Sequence, residues 1–172
     1  MKRPNVSVDP TNRLLIRSVR LNDAEAAELI EQVQDFYVLV YGGPDTSPVE
    51  DDQFAAPHGQ FFLGYLASQP IAMGGWRWYR GQLDLPASRP AEIKRMYVAA
   101  KARGHGFARQ LLAHLEQTAS AAGADALVLE TGQPQPEAIG LYRSSGYVDI
   151  PSFGYYANAP LSVHLGKLLR AP

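Results

Sequence analysis

A strand, a turn that holds two glycines and a long helix follow one another near the middle of the chain, and this order constrains the fold most. Residues 91–98 are mostly apolar and rich in strand formers, which predicts a strand. Gly104 and Gly106 lie in the turn that follows. Apolar residues then recur at helical spacing and predict a helix: Phe107, Ala108, Leu111, Leu112, Leu115, Ala119 and Ala122.

The turn has the chemistry of a phosphate site. Glycines let a ligand approach the backbone closely, and the first turn of a helix offers unpaired N–H groups with a partial positive charge. Arg103 and Arg109 flank the turn and would add cationic support. The Gly-Lys-Ser/Thr of a P-loop is absent, and Arg109 replaces the third glycine of the dinucleotide fingerprint.

Composition sets further bounds on the class of protein. The 172 residues predict one domain over 1–172, with the polar residues 1–12 as a flexible lead-in. The formal charge of −1 provides no general attraction to nucleic acids. We expect a cytoplasmic protein, because no apolar run has the length of a membrane span and the N-terminus lacks an apolar signal core. The absence of cysteine excludes an acyl-cysteine intermediate.

The other elements are predicted from periodicity, caps and turn residues. Asn22 or Asp23 is the expected N-cap of the first helix, and Gly42 is expected to end it. Residues 44–58 contain three prolines and an acidic cluster, which indicates an irregular segment, either a loop or a short helix. The remaining elements are helices over 24–41 and 137–145, and strands over 13–19, 60–67, 71–78, 126–131, 147–150 and 161–169.

Two motifs resemble those of one family. The pattern Arg-x-x-Gly-x-Ala over residues 103–108 resembles the acetyl-CoA pyrophosphate loop of the GNAT superfamily of N-acetyltransferases. The run Ala-Ile-Gly-Leu-Tyr at 138–142, followed by Gly146 and Tyr147, resembles the late helix of the same family. The resemblance is strong over residues 92–147 and covers the first half in element order only. It implies an α/β fold of the α+β type, with a central mixed, mostly antiparallel sheet flanked by helices.

The resemblance also implies a reaction in which an amine attacks the thioester of acetyl-CoA, the co-substrate. By its match to the histone acetyltransferase branch, Glu92 is the expected general base, acting directly or through a water. The alternative is a glutamate that pairs with Lys94 or another cation on the strand surface. Tyr142 is the expected donor to the departing sulfur, and the alternative is a core tyrosine with a satisfied hydroxyl.

Most of the expected contacts to acetyl-CoA are made by backbone groups. The N–H of Met96 would face the thioester oxygen at a bulge in the central strand, and Tyr97 and Val98 would lie beside the pantetheine arm. The pyrophosphate would lie against Arg103, Gly104, His105, Gly106, Phe107, Ala108 and Arg109. Gln135 replaces an asparagine that many family members use to contact the pantetheine, so this contact is left open.

The acceptor is expected to be a small-molecule amine, with no metal, nucleic acid or membrane involved. An acyl-CoA sensor without turnover, or an acetyltransferase for a protein N-terminus or lysine, remain as alternatives. Residues 37–57 and the aromatic residues Phe153, Tyr155 and Tyr156 are expected to shape the acceptor site. The acidic cluster within residues 44–58 is either a solvated loop or a lip that attracts a cationic amine. The resemblance also allows a homodimer, which is common in the family.

Overall fold

The computed structural model describes residues 13–169, so the proposed lead-in over 1–12 lies outside the described residues. Seven strands form one sheet in the order β1-β2-β3-β4-β5-β7-β6. The strands are β1 (Leu15–Val19), β2 (Gly59–Leu66), β3 (Gln69–Trp78), β4 (Pro90–Val98), β5 (Ala126–Gly132), β6 (Val148–Asp149) and β7 (Ser162–Leu168). The helices are α1 (Ala24–Tyr41), α2 (Phe107–Ala121) and α3 (Pro136–Ser144).

Neighbouring strands are antiparallel, except that β4 and β5 run parallel. A parallel pair needs a crossover, and α2 supplies it, as the strand–turn–helix motif requires. Strand β7 lies between β5 and β6. The predicted element order and the mixed, mostly antiparallel sheet are confirmed, and the predicted bounds differ from the observed ones by one or two residues.

Helices cover both faces of the sheet. On one face, Leu111, Leu112 and Leu115 of α2 are buried in a core that also holds Tyr142 and Tyr147. On the other face, Ala26, Leu29 and Val33 of α1 pack in a second core with buried residues of the sheet: Phe61, Leu63, Tyr65, Met73 and Tyr97. The apolar stripe read from the sequence of each helix is therefore the stripe that is buried.

The ends of α1 follow the expected cap chemistry. Asp23 is the N-cap, and its carboxylate accepts a hydrogen bond from the N–H of Glu25 at 2.9 Å. Gly42 ends the helix with a φ of 79°, a left-handed conformation that glycine adopts without strain. Among residues 13–169, no helix is both long and apolar enough to cross a membrane.

The segment from 44 to 58, for which the sequence left a loop or a short helix open, contains a short helix. Residues Asp51–Phe54 form a short 3-10 helix, and the Phe54 side chain is buried in the core under α1. Asp51 pairs with Arg20, which closes this segment against the end of β1. Asp51, one member of the acidic cluster, therefore forms an ion pair that holds this segment in place.

Candidate active site

A cleft opens in the sheet where β4 and β5 separate. Their parallel ladder pairs only Pro90, Ala91 and Glu92 with residues 126–128 of β5. Beyond it lies a cavity of about 370 Å³, which we name the central cavity. It is lined by residues 93–96 of β4, residues 129–132 of β5 and Tyr142 of α3, and Tyr37 and Tyr41 of α1 close one side.

Strand β4 is bulged at the rim of this cavity. Lys94 pairs with Gly75 and Tyr97 pairs with Met73, so two residues of β4 lie opposite the single residue Gly74. Arg95, at the bulge, has a φ of 55°, which is uncommon for a residue other than glycine. The bulge that the resemblance implied is therefore present, and it takes Met96 out of the regular ladder.

The glycine turn has the shape expected of an anion site. Gly104 and Gly106 have φ values of 83° and 79°, and a Cβ at either position would meet no atom within 4 Å. The first N–H of α2 that donates to a backbone carbonyl is that of Gln110, to Gly106. Within residues 13–169, no backbone acceptor is present for the N–H groups of residues 104–108. An open turn with free donors at the start of a long helix is suited to a phosphate.

The two flanking arginines are held by other groups. The Nε of Arg103 donates to the carbonyl of Val98 at 3.0 Å, and its guanidinium lies over the rings of Phe36 and Tyr97. The guanidinium of Arg109 donates to the hydroxyls of Ser144 and Ser145 at the end of α3, at 2.7 and 3.0 Å. Their positive charges lie beside the turn, and their side chains leave the turn open to a ligand.

Other residues predicted for the site lie in the glycine turn, at the start of α2 and at the end of β4. His105 is exposed, and its ring stacks on the buried Phe107 at a centroid distance of 5.8 Å. Ala108 is half-buried at the start of α2. Tyr97 and Val98 are buried at the end of β4.

The phenol of Tyr142 reaches the bulge. Its hydroxyl donates to Sδ of Met96 at 3.5 Å, so two residues predicted for the site are in contact across the central cavity. Burial raises the pKa of Tyr142 well above its ordinary value, which keeps the phenol protonated. The contact shows that this hydroxyl can donate to a sulfur atom.

Gln135 also lines the central cavity. Its Nε2 donates to the hydroxyl of Tyr41 at 2.7 Å, which ties the last residue of α1 to the segment before α3. The longer side chain of glutamine is therefore used to close the cavity wall.

Glu92 is buried, but it lies beside the central cavity. Its Oε2 accepts a hydrogen bond from Nε of Arg77 at 3.1 Å and forms an ion pair with an Nη of the same side chain at 3.0 Å, and its Oε1 lies 3.8 Å from Nζ of Lys94. The carboxylate lines a separate side groove with Arg77, Tyr79 and Gln53. The pairing with a cation that the sequence left open is present, although the carboxylate is buried. Catalysis by Glu92 stays a prediction.

A second carboxylate, which the sequence reading overlooked, lies in the central cavity. Glu130 of β5 is half-buried, and its Oε1 accepts from the hydroxyl of Ser162 at 3.3 Å. Burial raises the pKa of Glu130 to about 7, although the nearby Lys94 acts in the opposite direction. The sequence did contain a signal, since Glu130 is the one charged residue in the strand read as buried at 126–131.

The predicted acceptor segments meet at the cavity. Asp45 lines it, and its Oδ1 accepts from the hydroxyl of Tyr156 at 2.7 Å and from the N–H of Ser47 at 2.9 Å. Burial acts to raise the pKa of Asp45, but the hydrogen bonds from Tyr156 and Ser47 lower it below its ordinary value. Phe153 is instead buried against the ring of His164, and Tyr155 is exposed.

Comparison with known proteins adds independent findings. The family model of the GNAT acetyltransferases matches residues 28–147. A relative from Azospirillum brasilense, named IAA acetyltransferase, is 32% identical over 158 residues, which are 92% of this chain and 99% of the relative.

Solved structures show the same fold. A Klebsiella pneumoniae protein assigned to the acyl-CoA N-acyltransferases is 26% identical with a TM-score of 0.75, and the match covers 92% of this chain and 99% of that one. A GNAT family acetyltransferase from Elizabethkingia anophelis, solved with acetyl-CoA bound, has a TM-score of 0.62 at 20% identity, with 91% and 99% covered. Two motifs, the bulged and divided sheet and these matches agree, and the chain belongs to the GNAT family of acetyltransferases.

Proposed function

We propose that the protein transfers an acetyl group directly from acetyl-CoA to the amine of a small molecule. The observation that carries this proposal is the continuity of the site: the open turn at Gly104 and Gly106 precedes α2, and the cavity begins at the bulge of the strand before that turn. The name of the A. brasilense relative also indicates acetyl transfer.

The size and walls of the cavity favour a small acceptor. A volume of about 370 Å³ lies at the lower end of the range of small-molecule sites, and the acetyl end of the co-substrate would share it. Tyr37, Tyr41 and Tyr156 line the acceptor side and provide aromatic surface. A pocket of this size is better suited to a small amine than to an extended protein segment.

The residues have distinct roles in the proposed reaction. The free N–H groups of residues 104–108 bind the pyrophosphate, and the N–H of Met96 donates to the thioester oxygen as it becomes negative. Tyr142 donates a hydrogen bond to the departing sulfur, as it now does to Sδ of Met96. A carboxylate must accept the proton of the ammonium, because only the neutral amine has a lone pair for the attack.

The binding part of this proposal is tested at Gly106. The Gly106→Glu variant places a bulky anion where the pyrophosphate would lie, so the affinity for CoA measured by calorimetry should fall by at least about 100-fold, equivalent to about 2.7 kcal/mol. The Gly154→Glu variant is the matched control, because Gly154 also has a positive φ of 72° and an open Cβ direction. Circular dichroism should show that both variants are folded.

Two outcomes would contradict the proposal at different points. Unchanged CoA affinity in Gly106→Glu would place the pyrophosphate elsewhere. If the protein binds CoA but releases no free thiol with any amine of a broad panel, the binding site is correct and the proposed acetyl transfer is wrong.

A further inference from the structure

We propose that Glu130, and not Glu92, is the catalytic base that accepts the proton of the acceptor ammonium. This inference rests on the acetyl transfer proposed above and deepens it. It concerns which of two carboxylates on neighbouring strands meets the amine.

The position of Glu130 is the first argument. The parallel ladder ends at the pair of Glu92 and Val128. Lys94 and Glu130 each lie two residues further along their strands, so their side chains are on the same face of the sheet as those of Glu92 and Val128. At this point the strands separate, and Glu130 lines the central cavity together with Met96 and Tyr142. Glu92 lines the side groove instead.

The partners of the two carboxylates give the second argument. Arg77 holds Glu92 through one hydrogen bond from its Nε and an ion pair at 3.0 Å, and Lys94 lies 3.8 Å from the other oxygen, so both oxygens of Glu92 already face cations. Among the described residues, the Glu130 carboxylate accepts one side-chain hydrogen bond, from the neutral hydroxyl of Ser162. Within residues 13–169, Glu130 makes no ion pair, so its negative charge remains for an incoming ammonium.

The groups around Glu130 are consistent with a base that works near neutral pH. Burial raises the pKa of Glu130, Lys94 lowers it, and the charges of Asp45 and Glu92 raise it. On the α1 side, burial raises the pKa of the Tyr41 phenol and keeps it neutral. On β7, burial lowers the pKa of His164, the residue that pairs with Glu130 in the ladder, so this imidazole adds no charge.

The proton balance of the step is complete. The ammonium gives one proton to the Glu130 carboxylate, and the neutral nitrogen attacks the thioester carbon. The C–N bond forms, the C–S bond breaks, and the bonding pair leaves with sulfur, which accepts a hydrogen bond from Tyr142. The second proton of the nitrogen passes to the thiolate, and free CoA leaves as the thiol. Glu130 then releases its proton to solvent, which restores the carboxylate.

The experiment compares Glu130→Gln with Glu92→Gln, two variants with the same isosteric change on adjacent strands. Acetyl-CoA is assayed by thiol release against a panel of primary amines that includes 2-phenylethylamine, and kcat/KM is measured from about pH 5.5 to about pH 9 for the best amine. In wild type, activity should fall as the pH drops through about 7, since protonated Glu130 cannot accept a proton. Glu130→Gln should lower kcat/KM at high pH by about 100- to 10,000-fold and abolish this acidic limb.

One further variant and one binding measurement separate catalysis from structure. Glu130→Asp should retain an acidic limb at a reduced rate, because it keeps a carboxylate on a shorter side chain. Glu92→Gln should retain the limb, and all three variants should bind CoA as wild type does. Near-wild-type activity of Glu130→Gln, or loss of the limb in Glu92→Gln, would overturn the proposal. If the wild-type protein binds CoA but acetylates no amine, the proposed function itself is wrong.

Discussion

Glu92 and Glu130 are the same residue type on adjacent strands and the same face of the sheet, yet their surroundings are opposite. Glu92 has its charge matched by Arg77 and Lys94. Glu130 has lost water without gaining an ion pair among the described residues, and burial raises its pKa to about 7. The two carboxylates differ because their partners come from different strands: Arg77 of β3 pairs with Glu92, and Ser162 of β7 donates to Glu130. Neighbouring backbone positions therefore support different chemistry.

The largest expected effect concerns stability, where the two carboxylates should respond in opposite directions. Glu92→Gln leaves Arg77 and Lys94 in a mostly buried site without their counter-ion, so the free energy of unfolding should fall by about 3–5 kcal/mol. Denaturant unfolding at about pH 8 measures this loss. Adding Arg77→Met to Glu92→Gln should recover part of it, because the unpaired cation is removed. An unchanged midpoint in Glu92→Gln would mean that the pair is only a surface contact.

Glu130→Gln should stabilise the protein at the same pH. The folded-state pKa of about 7 lies above the ordinary value of 4.5, so the folded protein binds the extra proton between these values. Stability is then lost as the pH rises from about 4.5 through about 7, because the charge must be kept in a dry site. Glu130→Gln should remove that slope and gain about 2 kcal/mol at about pH 8. A loss of stability there would show that Glu130 has a cationic partner in solution.

The next effect separates the base from the group that assists the leaving sulfur. Tyr142→Phe should lower kcat by about 10- to 100-fold, the cost of one hydrogen bond to a charged acceptor, and change KM for acetyl-CoA by less than about twofold. The acidic limb should stay at the same pH, in contrast to Glu130→Gln. Tyr65→Phe is the control, since its hydroxyl donates to Glu25 at 2.7 Å under α1. A large rise in KM would assign Tyr142 to binding of acetyl-CoA.

The sequence predicted those parts of the molecule that local chemistry determines. Periodicity, caps and glycine positions predicted the element order, the helix ends and the open turn at Gly104 and Gly106, because each depends on residues close in the chain. The resemblance placed the bulge near Met96 and brought Tyr142 to the site. The bulge and the position of Tyr142 depend on a backbone path that members of the family are expected to share.

The ion pairs and the cavity walls could not be predicted in this way. Arg77 and Glu92 are 15 residues apart, and the N–H of Thr46 donates to the hydroxyl of Tyr156, 110 residues away, so both contacts depend on the assembled fold. Desolvation of Glu130 also requires the assembled walls of the central cavity. Only its isolation in an apolar strand could have drawn attention to it.

The smallest expected effect is a shift of the acidic limb in three variants that keep Glu130. Lys94 favours the charged form of Glu130 and Asp45 disfavours it. Lys94→Met should therefore move the limb to higher pH, and Asp45→Asn should move it to lower pH. Glu92→Gln should also move it slightly to lower pH, because the charge of Glu92 acts on Glu130 through space. Full pH profiles of kcat/KM for the three variants measure the shifts. If the base were Glu92 instead, Lys94→Met would still move the limb upward, but Glu92→Gln would abolish it, so the two glutamine variants decide between the carboxylates.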